Sequence, residues 1–199
     1  MKSYVSLSTG ELFSPGRLSF LILLIIITTA YQLQAQRMPL PEDAMEVGVA
    51  RIDITPEGPI RLAGYGARPK TEANQIIHRL SAKALAFGNN TQGASLLITV
   101  DLVGIPRHIT EKLAGQLAKK AGLNPAQLVI CASHTHGGPE VGNLLNILQY
   151  REETFSDSLL ALNHLVHIAQ YTEQLSQKLE EVAMEAMENR EPSFVAWGQ

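Results

Sequence analysis

A single cysteine, Cys131, stands in a chain of 199 residues. No internal disulfide can form, so an exported product would have to hold together through its core alone. Cys131 follows an apolar run and reads as a small buried hydrophobe in a strand. Basic residues are also scarce: 16 Lys and Arg face 19 Asp and Glu, a formal net charge of −3. Binding nucleic acid takes a basic stripe that meets phosphates, and that class is excluded. The chain has no P-loop and no G-x-S-x-G elbow for a serine nucleophile. "GYGARP" lacks both the third glycine and the strand–helix setting of a dinucleotide fingerprint. Internal repeats are missing as well.

Apolar residues are plentiful. A hydrophobic share of 45% is enough to bury the core of one globular domain. The N-terminus stands apart from it. "LSFLILLIIITTA", residues 18–30, is an uncharged apolar run preceded by Lys2 and Arg17. Its 13 residues fall short of the roughly 20 that cross a bilayer. With the small Ala35 after it, residues 1–35 read as a signal peptide cut near Ala35–Gln36, which implies export. The alternative is an uncleaved anchor, the run being extended through Leu33, with association at a membrane surface. No cysteine follows the run to take a lipid. Residues 36–46, polar and containing proline, read as a linker.

From residue 47 the pattern becomes that of a folded domain. "VGVARIDIT" predicts a strand stopped by "TPEGP". "LAGYGARPKTEANQ" is a glycine-rich loop, which could border a pocket or lie on the surface. The runs at residues 80–87 and 94–100, joined by "GNNTQG", predict a hairpin. Ala82, Ala84 and Ala86 share one face of its first strand, so something must pack closely there. "RHITEKLAGQLAKKAG" predicts a helix with Ile109, Leu113 and Leu117 on its inner face and a stop at Gly122. "AQLVICAS" predicts a strand. Residues 156–189 carry a helical stripe of Leu159, Leu162, Val166, Ala169, Leu175, Leu179, Val182 and Met187, and that length predicts two helices or a bent one. "SFVAWG" predicts a last strand. The succession is an α/β protein with a mixed sheet flanked by helices.

"CASHTHGGPE", residues 131–140, is where the chemistry concentrates. Residues i and i+2 on an extended backbone point the same way, so His134 and His136 can face one cavity. Neutral imidazole is a favoured zinc ligand, and catalytic zinc commonly takes three protein ligands. Gly137 and Gly138 let the chain turn away, and Pro139 ends strand pairing. An H-x-H alone is a weak signal, equally open to ordinary hydrogen bonding. Its place at the C-terminal end of a strand, where α/β sheets bind ligands, strengthens it. Asp101 ends another strand. It could orient a ring nitrogen from a second shell around the metal, or simply cap a loop or the following helix. "HGGPE" lacks the Asp-His of the metallo-β-lactamase pattern, and several strands precede the pair, against a TIM-barrel amidohydrolase. His164 and His167 could share a helix side, but no carboxylate partner is evident for them; His78 and His108 have weaker claims.

Taken in order, "VGVARIDITP", "LAGYG", "HRLSAKALAF", "LLITVDLVGIP" and "CASHTHGGP" resemble the N-terminal part of the neutral/alkaline non-lysosomal ceramidase family. The resemblance covers about residues 47–140 well and the rest loosely. It implies a zinc-dependent amidohydrolase that cleaves ceramide-like N-acylsphingosines to a fatty acid and a sphingoid base. By that resemblance His134 is a zinc ligand, and His136 lies beside the metal and handles substrate or the tetrahedral intermediate. Gly137 departs from the family's serine. The family's other zinc ligands, a histidine, a glutamate and a tyrosine, come from segments later than "SFVAWGQ". Residues 47–199 are therefore expected to be the first part of a larger catalytic domain. The alternative is a non-catalytic relative that binds a ligand or partner through the same cleft.

Overall fold

The computed structural model describes residues 15–35 and 44–198, except 66, 67, 69, 70, 90, 92, 143, 145–157 and 197. Contacts divide the chain into two units, Met1–Glu42 and Asp43–Gln199. In the first unit, helix α1 spans Pro15–Ala35. Proline suits its first turn, where no backbone N–H is needed. Phe20 to Ile27 are all exposed on it. Among the described residues, no helix is long and apolar enough to cross a membrane.

The second unit contains strands β1 (Ala44–Asp53), β2 (Ser81–Phe87) and β3 (Ser95–Val100), helix α2 (Arg107–Ala121), strand β4 (Leu128–Ala132), helix α3 (Ser158–Glu188) and strand β5 (Glu191–Phe194). The sheet order is β4-β3-β2-β1-β5. All neighbours are antiparallel except β3 and β4, which run parallel across the α2 crossover. This is the mixed α/β sheet that the pattern predicts. Most of the expected linker lies outside the described residues, and its last three, Ala44 to Glu46, already belong to β1 and pair with β5.

One face of the sheet makes the core. Ala82, Ala84 and Ala86 of β2 and Leu96, Ile98 and Val100 of β3 are buried, in step with the two-residue period of a strand. Three alanines in a row let α3 come close, and it answers with Ala183 and Ala186 alongside Leu175, Leu179 and Val182. Helix α2 packs beside it through Ile109, Leu113 and Leu117, and ends at Gly122 in a left-handed cap (φ 66°). Along the rim between the helices, Lys112 pairs with Glu173 at 3.0 Å and Lys120 with Glu180.

Three expectations change. Helix α3 is one continuous element of 31 residues, with no glycine or proline to break it, so the expected division into two helices does not occur. Its first turns also face differently. Leu162 and Val166 are exposed, while His164 and Ile168 are buried and continue the stripe of Tyr171, Leu175 and Leu179. Cys131 is exposed, because β4 is an edge strand and its Val129–Cys131 side faces away from the helices.

The "DITP" segment knots the exit of β1 to the entry of β2. Asp53 accepts the Thr55 N–H at 2.8 Å, the Thr55 hydroxyl accepts the Leu80 N–H at 2.9 Å, and Arg79 reaches Asp53 at 2.5 Å. Helix α3 adds Tyr171, whose hydroxyl donates to the Ile54 carbonyl at 2.8 Å, and Lys178, which donates to the Asp53 carbonyl at 2.8 Å. Hydrogen bonds from Thr55, ahead of the one from Arg79, hold the Asp53 pKa at about 2 against an ordinary 3.8. A depressed carboxylate stabilises the fold above its unfolded pKa, and that contribution is lost as the pH falls through its folded one. Asp53→Asn should therefore cost stability at pH 6 and cost progressively less between about pH 4 and pH 2. The effect at pH 6 is at most about 1 kcal/mol, because the side chain is 42% exposed and solvent screens the charge. Urea midpoints at both ends of that range test it; an undiminished difference at pH 2 would mean that the charge is not the cause.

Candidate active site

The turn after β4 holds both histidines. The ladder between β3 and β4 runs one residue further, with the Ser133 N–H on the Val100 carbonyl at 2.9 Å. His134 then takes φ 58°, left-handed backbone that non-glycine residues adopt at a cost. Its Nδ1 lies 2.9 Å from the Val103 carbonyl, just past the end of the neighbouring parallel strand. A carbonyl can only accept, so Nδ1 carries the proton and Nε2 keeps its lone pair. An imidazole oriented in this way is prepared to ligate a metal through Nε2.

His136 meets His134 edge to face, with ring centroids 5.0 Å apart and planes at 88°. Tyr65 stacks on the His136 ring at 4.5 Å and 29°. Two short segments bring these loops together: the Ala63 N–H bonds the Gly138 carbonyl at 2.9 Å, and the Glu140 N–H bonds the Arg61 carbonyl at 2.8 Å. Gly64 (φ 76°) then lies so close that a Cβ there would stand 1.7 Å from His136 Nδ1. That nitrogen is buried and has no hydrogen-bond partner among the described residues. Arg68 donates to the His136 carbonyl at 2.8 Å, and its guanidinium lies 5.2 Å from the centre of the Tyr65 ring.

Asp101 does sit at the end of β3, but its carboxylate accepts the Ser81 N–H at 2.9 Å and holds the start of β2. The acceptor on the His134 ring is the Val103 carbonyl instead. His164 and His167 have a partner that the sequence pattern does not reveal: Glu72 Oε1 lies 2.8 Å and 2.7 Å from their Nδ1 atoms. Burial alone would raise the Glu72 carboxyl, but the two histidine hydrogen bonds outweigh it and hold the pKa below the ordinary value. Glu140 and Arg61 are buried nearby. Burial pushes the Glu140 carboxyl up, against the pull of Arg61 and His164. These groups form a polar layer that ties the 61–72 loop to α3.

A cleft of about 470 Å³ runs behind the turn, lined by Thr135, Gly137 and Pro139. His78 lines it too. The site therefore offers one free lone pair, on His134, and one clamped ring, on His136. Among the described residues no group of three His, Cys, Asp or Glu is arranged to hold a metal ion. Tyr65 was legible only as a residue bracketed by glycines, and Val103, Arg68 and Glu72 gave no signal.

No protein-family model matches the chain, and no curated protein does. Solved structures do. A neutral ceramidase from Pseudomonas aeruginosa matches with a TM-score of 0.54 and 20% identity, over 78% of this chain and 23% of that one. A ceramidase complexed with C2 matches with a TM-score of 0.52 and 20% identity, over 77% and 22% of the respective chains. The likeness is one of fold, and the chain spans less than a quarter of the ceramidase chains it matches.

Proposed function

We propose that this chain forms part of a zinc-dependent amidohydrolase site acting on ceramide-like N-acylsphingosines. The observation that carries the reading is His134, whose Nδ1 is committed to the Val103 carbonyl so that Nε2 is left to bind, within a fold like that of ceramidases. His134 fits zinc as one ligand, and the remaining ligands would come from outside the described residues. Zinc held there would supply Lewis-acid polarisation of the amide carbonyl. His136 stands beside His134 and would donate a hydrogen bond to the carbonyl oxygen as that oxygen gains negative charge. Water adds across the C–N bond, giving a fatty acid and a sphingoid base. Asp101 supports the site from a distance by securing the β2 entry next to the β3 end.

Export through residues 1–35 belongs to the same reading, because a lipid amide is met at a membrane surface. The test is release of fatty acid from an N-acylsphingosine by the secreted protein with its complete catalytic domain, followed by mass spectrometry with zinc and with a chelator. Zinc-dependent release, from a product that begins at Gln36, is expected. No release under either condition would leave a non-catalytic relative that binds through the same turn.

A further inference from the structure

We infer that Gly64, Tyr65 and Arg68 form a clamp that holds His136 as an Nε2–H donor, with Tyr65 as its positioning residue; the inference rests on the reading of His136 as the group that meets substrate.

Three contacts from one loop converge on one residue. Gly64 packs against the Nδ1–Cε1 edge of the ring, closer than any side chain would allow. Tyr65 covers a ring face, although it is itself 65% exposed and held at φ 56°, a conformation disfavoured for tyrosine. Backbone strain at a residue that buries little points to what its ring does. Arg68 ties the two together, donating to the His136 carbonyl while its guanidinium sits over the Tyr65 ring.

The consequence is a choice of tautomer. His136 Nδ1 is buried and has no hydrogen-bond partner among the described residues. A proton there would be an unsatisfied buried donor pressed against Gly64, whereas a bare nitrogen leaves that close approach unobstructed. The proton of the neutral ring therefore sits on Nε2, on the edge that Gly64 leaves free. The Tyr65 stack resists the ring flip that would carry Nδ1 away from Gly64. His134 has the opposite tautomer, because its Nδ1 faces a carbonyl. Neighbouring imidazoles at 5.0 Å thus divide the work, one presenting a lone pair and the other a proton. Tyr65 touches no reacting atom in this scheme and acts through His136.

Nitrogen-15 NMR of histidine side chains in the full chain, without added zinc and at about pH 8.5, well above the ordinary imidazole pKa of about 6.5, reads the tautomers directly. His136 should show an unprotonated Nδ1 and a protonated Nε2, with His134 the reverse. Tyr65→Phe keeps the stack and should leave both patterns unchanged. Tyr65→Ala and Arg68→Ala should bring His136 to an averaged mixture while His134 keeps its pattern. An Nδ1–H form or an averaged ring at His136 in the unsubstituted chain would overturn the clamp, as would an unchanged His136 in Tyr65→Ala. The measurement needs neither zinc nor turnover, so failure of the clamp is distinguishable from failure of the hydrolase reading.

Discussion

Gly64→Ala should destabilise the chain by about 2–4 kcal/mol, the sum of a conformational cost and a packing cost. The backbone there has φ 76°, where alanine pays about 1 kcal/mol relative to glycine. The added Cβ would also fall 1.7 Å from His136 Nδ1 and 2.3 Å from Cε1, so the ring or the loop must move. Overpacking of this kind typically costs about 1–3 kcal/mol. Gly122 separates the two contributions. It has a similar φ of 66°, but a Cβ there would meet nothing within 4 Å, so Gly122→Ala should show the conformational cost alone. Urea denaturation of both variants gives the comparison. Equal losses would mean that His136 is not pressed against Gly64.

The second large effect separates the two histidines by function. His134→Ala removes the free lone pair and should lower zinc affinity at least about a hundredfold, beyond the 10–100-fold that losing an outer-shell partner costs. Turnover should fall to background with it. His136→Ala removes a donor aimed at developing charge and should lower turnover by about 10²–10³-fold while zinc affinity stays within about threefold. The two variants thus differ in what they lose, although the residues stand side by side.

Much of this arrangement could be read in the residues. Strand period, hairpin loop and helix stop followed from local chemistry, and the H-x-H turn fell at a strand end as expected. What could not be read depended on partners far away in the chain. Asp101 ends β3 as predicted, but the N–H it accepts belongs to Ser81, a pairing that exists only once β2 lies against β3. The acceptor that orients His134 is a backbone carbonyl, which every residue has. His164 counts as polar in a hydrophobic pattern, yet Glu72 lets it be buried, and the apparent stripe through Leu162 and Val166 was out of phase for that reason. Cys131 has an apolar neighbourhood in sequence and an open one in space, because it faces away from the helices on an edge strand.

The central claim is that His134, oriented by the Val103 carbonyl, ligates zinc. A chelator-competition titration of zinc against the complete catalytic domain, with this chain unsubstituted or carrying His134→Ala or His136→Ala, tests it most directly. Affinity is predicted to collapse in His134→Ala and to survive in His136→Ala; equal zinc binding by the unsubstituted chain and His134→Ala would contradict it.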